Sequence, residues 1–198
     1  YIQSHLSEEE SNIQKNVRDF CNNELKPTVV ERNRKNEFDQ NLYPKFGSLG
    51  VLGQTVKTHG GSGTSNLAYG LVAYEFEKID SSYRSSISVQ SSLVIHPINE
   101  FGSQEQKDKY LPSLIKGEKI GCFGLTESEA GSDPASMKTS FKKTKDGYIL
   151  NGSKNWITNA PIADIFIIWA IEENKDHKSI KGFIIEKNTE GLNTSTIE

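Results

Sequence analysis

The chain has 198 residues, 34% of them apolar and 25% charged, with a formal net charge of −3. That balance is ordinary for one large or two small globular domains with a sizeable core, and it gives no electrostatic reason to expect nucleic acid or an anionic membrane as partner. No apolar run reaches the about 18 residues of a bilayer span, and Cys21 and Cys122 show neither metal spacing nor a disulfide framework, as in a reducing compartment.

The first residue is Tyr1 and the only methionine is Met137, so the chain reads as a processed form or a fragment. "SEEESNIQKNVRDFCNNELKP" (residues 7–27) opens with Ser7 and Glu10 in a capping-box pattern. Ile13, Val17, Phe20, Cys21 and Leu25 recur at helical spacing, and Pro27 should end the helix. A shorter helix is predicted from Leu42 to Leu49, stopped by Gly50. "GGSGTSNLAYGLVAYEFEKID" (60–80) is a glycine-rich loop feeding a helix whose apolar stripe is expected at Leu67, Leu71 and Tyr74.

"SSYRSSISVQSSLV" (81–94) sets Arg84 among seven serines. It is predicted helical up to His96, before Pro97. "SQEQKDKYLPSLIKGE" (103–118) repeats the capping box with Ser103 and Gln106. Near Gly117 the pattern changes. "IGCFGLTE", "IFIIWAI" and "GFIIEK" are strand-like, and Asp146-Gly147 and Asn151-Gly152 are hairpin signals. The expected class is therefore α+β: an all-α domain over residues 1–117, then an antiparallel β domain over 118–198.

Several motifs of nucleotide, zinc and serine-hydrolase chemistry are absent. His5, His59, His96 and His177 are scattered, so no metal site is expected. "CFGLTESEAGSDPASM" (122–137) runs from a strand end into a loop. Such a loop offers backbone N–H groups to a phosphate or a polar ring edge, or is an ordinary connection started by Asp133-Pro134. In "NWITN" (155–159), Trp156 is either a core strand residue or a face for a planar cofactor. Arg84 reads locally as half of a surface pair with Asp80 four residues earlier.

Taken in order, "CFGLTESEAGSD" and "LNGSKNWITNAPIAD" strongly resemble the central region of the acyl-CoA dehydrogenases, and "YLPSLIKGEKIGCFGLTE" resembles the way members leave their helical domain. The resemblance covers most of the chain from about residue 7. It implies FAD, a helical domain followed by a β domain, a third C-terminal helical domain absent here, and usually a tetramer. By it, Phe123, Gly124, Leu125 and Thr126 lie along the flavin, Gly131 and Ser132 lie near the FAD pyrophosphate and the thioester ligand, and Trp156, Ile157 and Thr158 close the other side.

Within the family, "YRSSISVQSSLVIHPI" (83–98) is most similar to the glutaryl-CoA type. That likeness implies that Arg84 binds the far carboxylate of glutaryl-CoA, with Ser88 one turn later and Ser85 beside it. The implied reaction removes an α-proton, passes a β-hydride to the flavin and decarboxylates the product to crotonyl-CoA. The base is a glutamate of the C-terminal domain, so no residue here is catalytic; Glu100, Glu127 and Glu129 are not substitutes. The β domain itself is expected to stop early, at "GLNTSTIE" (191–198), and the chain alone is expected to hold FAD poorly and to be inactive. Electron-transfer flavoprotein is the implied acceptor, and the mitochondrial matrix the implied location in a eukaryote. The alternatives are a short-chain or branched-chain acyl-CoA dehydrogenase and a non-catalytic binding fragment.

Overall fold

The computed structural model describes residues 2–196; Tyr1 and the final Ile197 and Glu198 lie outside the described residues. The chain divides into two units, Tyr1–Lys119 and Ile120–Glu198, where the sequence suggests a division after residue 117.

The first unit is helical. Its elements are α1 (Glu8–Phe20), α2 (Val29–Arg34), α3 (Leu42–Ser48), α4 (Asn66–Glu77), α5 (Ser81–Ser88), α6 (His96–Phe101) and α7 (Gln104–Ile115). Both capping boxes form, at Ser7 with Glu10 and at Ser103 with Gln106. Each closes two backbone donors that a helix start would leave open. Val17, Cys21 and Leu25 are buried as their spacing predicts. An aromatic cluster joins α1, α3 and α4: Phe46 meets Phe76 edge-on at 5.3 Å, and Phe20 lies 6.1 Å from Phe46.

The α4 stripe differs from expectation. Leu71 is buried, but Leu67 and Tyr74 are 47% and 56% exposed. The inward face is Ala68, Leu71, Val72, Glu75 and Phe76. The helix turns this way because Glu75 has partners inside: Gln14 and Arg18 of α1 reach its carboxylate at 2.8 Å each, and Lys78 at 3.1 Å. A buried carboxylate with several charge-assisted bonds sits where an apolar pattern predicts none.

Two helical runs widen before a proline. Cys21–Leu25 is a π-turn ahead of Pro27, with Lys26 N–H bonded to Cys21 O. Val89–Ile95 is another ahead of Pro97. The helix therefore does not stop at His96 but continues through α6 to Phe101. A proline ring crowds the carbonyl four residues earlier, and the π-turn shifts bonding to five, with His96 N–H bonded to Ser91 O. Within this widened segment the buried Gln90 amide donates to Leu114 O and Lys119 O, both at 2.9 Å, capping the end of α7.

The second unit is a five-stranded sheet of β1 (Gly121–Gly124), β2 (Ser140–Lys143), β3 (Tyr148–Asn151), β4 (Ile165–Glu172) and β5 (Lys181–Glu186). The pairs β2–β3 and β4–β5 are antiparallel, as their short connections require. The pairs β1–β4 and β2–β4 are parallel, with Cys122 opposite Phe166 and Phe141 opposite Glu172. The sheet is thus mixed, where the hairpin signals suggest antiparallel strands. Residues 125–164 separate β1 from β4, long enough for the chain to re-enter in the same direction. Asp146-Gly147 makes the expected hairpin, closed by Thr144 N–H to Gly147 O at 2.9 Å. Asn151-Gly152 does not. Gly152 has φ +151, and any Cβ there would meet the Thr139 hydroxyl at 2.4 Å, so it seats β3 beside the entry to β2.

Candidate functional site

The two motifs of the second unit come together at the exit of β1. Thr126 O accepts from Asn155 N–H at 2.9 Å, Leu125 O accepts from the Lys154 ammonium at 3.0 Å, and Gly121 O accepts from the Asn159 amide at 3.1 Å. Three bonds therefore fasten residues 121–126 to residues 154–159. Beneath them, Ile157 packs on the buried cluster of Cys122, Ala163 and Phe166. The Cys122 thiol is pushed up to about 12 by burial and is no nucleophile at neutral pH.

Phe123 sits in β1, 6.0 Å from Trp169 in an edge-on contact. Gly124 is closely overlaid: a Cβ there would meet Ile168 at 2.5 Å and the Lys154 stem at 3.4 Å. Leu125 and Thr126 are half-buried, while Gly131, Ser132 and Thr158 are exposed. Around Gly131 nothing lies within 4 Å of an added Cβ. Trp156 is 71% exposed, with φ +62. A bulky residue in the left-handed region is unusual, and such conformations concentrate at functional sites. Trp156 is therefore not the core strand residue of the local sequence reading.

Below this surface lies a buried ion pair. The Lys154 ammonium is 2.7 Å from Glu127 Oε1, with side chains 7% and 8% exposed. Glu127 also accepts from the N–H groups of Thr139 at 3.0 Å and Lys138 at 2.7 Å. Burial alone would raise the Glu127 carboxyl. The Lys154 ion pair and the Thr139 and Lys138 bonds outweigh it and hold the group down at about 2. Glu129, by contrast, is exposed and paired with Lys138.

Arg84, Ser85 and Ser88 lie on α5 of the first unit, all half-buried. The expected Arg84–Asp80 pair is not formed. Asp80 caps α5, accepting from Ser82 N–H at 2.8 Å, and Arg84 Nε donates to Glu77 Oε2 at 2.7 Å. The capping geometry turns the Asp80 carboxylate toward the helix start and away from its i+4 neighbour. The Glu77 bond uses one of the five guanidinium N–H donors.

Residues 7–118 match the model of the acyl-CoA dehydrogenase N-terminal domain, and residues 122–198 that of the acyl-CoA dehydrogenase middle domain. The chain belongs to the acyl-CoA dehydrogenase family. It is 38% identical over 196 residues to a short-chain-specific acyl-CoA dehydrogenase of Clostridium acetobutylicum, covering 98% of this chain and 52% of that protein. It is 39% identical to the mitochondrial isovaleryl-CoA dehydrogenase of Pongo abelii, covering 96% and 46%. The structure of a glutaryl-CoA dehydrogenase from Mycobacterium smegmatis in complex with FADH2 superposes with a TM-score of 0.93 at 40% identity, over 98% of this chain and 49% of that one. The chain thus spans about half the length of these acyl-CoA dehydrogenases.

Three residues of the family chain carry the geometry without a sequence signal. Glu77 is seven residues from Arg84, across the α4–α5 turn, outside the i+4 rule. Glu127 and Lys154 are 27 residues apart, a separation at which no local spacing rule pairs them.

Proposed function

We propose that this chain is the helical and β portion of a FAD-dependent acyl-CoA dehydrogenase acting on glutaryl-CoA. What supports the flavin is the second unit's surface. Thr126 N–H has no hydrogen-bond partner among the described residues, the exposed Trp156 offers an aromatic face, and the chain at Gly131 is open. A flavin needs such an apolar face with a few placed donors. Phe123, Gly124, Leu125, Thr126, Trp156, Ile157 and Thr158 would hold the ring system, and Gly131 and Ser132 the pyrophosphate. The bound cofactor would supply hydride acceptance.

No carboxylate of this unit is assigned the α-proton. Glu127 is neutralised by Lys154 and Glu129 pairs with Lys138. The same reading takes from the family resemblance a base in the C-terminal domain, electron-transfer flavoprotein as acceptor, a tetramer and, in a eukaryote, the mitochondrial matrix.

The observation that carries the substrate is Arg84, on a face with Ser85 and Ser88 and fixed through Nε to Glu77. Its remaining donors suit a second carboxylate, and an apolar acyl end would leave them unpaired. A second reading, short-chain acyl-CoA, draws on the same bond: Glu77 already neutralises Arg84, so no substrate carboxylate is required. The discriminating experiment is Arg84→Ala in the protein that carries this chain. Loss of kcat/KM on glutaryl-CoA by about 10–100-fold, with butyryl-CoA little changed, supports the first. Equal losses on both support the second.

A further inference from the structure

Lys154 and Glu127 stand apart from the residues that the flavin reading uses. A buried ion pair is seldom the most stable filling for its volume, since apolar side chains of similar size avoid the desolvation cost. Its directional bonds therefore matter more than its bulk. The Lys154 ammonium has two oxygen partners, the Glu127 carboxylate and the Leu125 carbonyl. The carboxylate is in turn held by the Lys138 and Thr139 N–H groups at the entry to β2.

The Leu125 bond has a geometric result. In a trans peptide the carbonyl and the following N–H point in opposite directions. With Leu125 O drawn down to Lys154, the Thr126 N–H is turned up and away from the pair. The next peptide is fixed in the same manner: Thr126 O accepts from Asn155 N–H, and Glu127 N–H turns back to Ala130 O at 3.1 Å. Two consecutive peptide planes are set from beneath, and of their two N–H groups that of Thr126 has no partner among the described residues.

We propose that Lys154, clamped by Glu127, is a positioning residue of the flavin site: it orients the Leu125–Thr126 peptide so that the Thr126 N–H is presented to the cofactor's ring edge. The proposal rests on the flavin reading given above. It adds that the donor's direction is set by an ammonium on the other segment, so that the two motifs act as one site.

The test is amide NMR of the protein that carries this chain, stripped of cofactor and titrated with FAD. In the wild type, FAD is expected to shift the Thr126 amide resonance. In the Glu127→Gln/Lys154→Met double variant, which leaves no lone buried charge, the Kd should rise about tenfold, the equivalent of one hydrogen bond. The Thr126 response should be lost while the Phe166 and Ile167 amides of β4 stay protected. An unchanged Kd and an unchanged Thr126 response in that variant overturn the positioning role and leave the flavin reading standing. A wild type whose amides do not respond to FAD overturns the flavin reading and the proposal with it. Should the double variant lose β4 protection, Lys154→Arg decides. It keeps the charge on Glu127 but replaces the single-point bond with a planar fork; binding equal to the wild type overturns the proposal, and weaker binding supports it.

Discussion

Glu77 Oε2 lies 2.7 Å from Arg84 Nε, joining the last turn of α4 to the first turn of α5. The pair is open to water, with side chains 46% and 38% exposed, so it adds little to stability. Its effect is to restrict where the other guanidinium nitrogens point. Glu77→Gln is expected to raise KM for glutaryl-CoA by roughly three- to tenfold, the scale of a partly solvated charge-assisted contact. KM for butyryl-CoA and the unfolding midpoint should hardly move. Parallel rises in both KM values would remove Glu77 from substrate selection.

Acid should attack the chain at Glu127. The carboxyl is held at about 2 against an ordinary 4.5, so the folded state binds the proton less readily than the unfolded chain. The stabilisation is therefore fully present above about pH 4.5 and lost as pH falls toward 2, on the order of 3 kcal/mol in all. Urea midpoints measured between pH 6 and pH 2.5 should fall steeply in the wild type and more gently in Glu127→Gln, which starts lower. Equal slopes in the two would show that other carboxylates, Glu75 among them, carry the acid transition.

Gly117 is a second sensitive point. Its φ is +71, and an added Cβ would meet Tyr43 O at 2.1 Å. Gly117→Ala combines left-handed strain with a backbone clash and should cost about 2–4 kcal/mol, seen as a lower thermal midpoint. Gly70→Ala, where nothing lies within 4 Å of the new methyl, is the matched control and should hold or gain stability.

Trp156 is expected to behave in the opposite sense. Its side chain is largely solvated and its backbone left-handed. Trp156→Gly should stabilise the cofactor-free protein by about 1 kcal/mol at most, seen as a raised thermal midpoint, while weakening FAD binding. A lowered midpoint would mean that the indole packs for stability and that its conformation is not a functional cost.

The helices were legible where the signal is local. Ser7 with Glu10 and Ser103 with Gln106 carry their own start geometry, and Val17, Cys21 and Leu25 their own face. The α4 face was not, because Glu75 is drawn inward by Gln14 and Arg18, and a hydrophobic pattern has no place for a satisfied carboxylate. The same limit hid the mixed sheet: β4 is strand-like and pairs antiparallel with β5 across a short connection, but its parallel partners depend on where a long excursion returns. In the candidate site, Trp156 and Thr126 could be named from their motifs. Lys154 could not, since its meaning lies in a carbonyl 29 residues earlier.

The widened turn at Val89–Ile95 also sets a rule about length. Each residue of an α-helix advances the side-chain direction by about 100°. Upstream of the wide turn, α5 leaves Arg84, Ser85 and Ser88 half-buried; Val94 and Ile95 at the end of the turn, and Ile98 beyond it, are buried. The segment holds one residue more than an α-turn would. Deleting a single residue from it would return the run to α-helical spacing, keeping the faces on either side but losing the room made for the Pro97 ring. Along this run, the spacing of the chain is constrained as tightly as its composition.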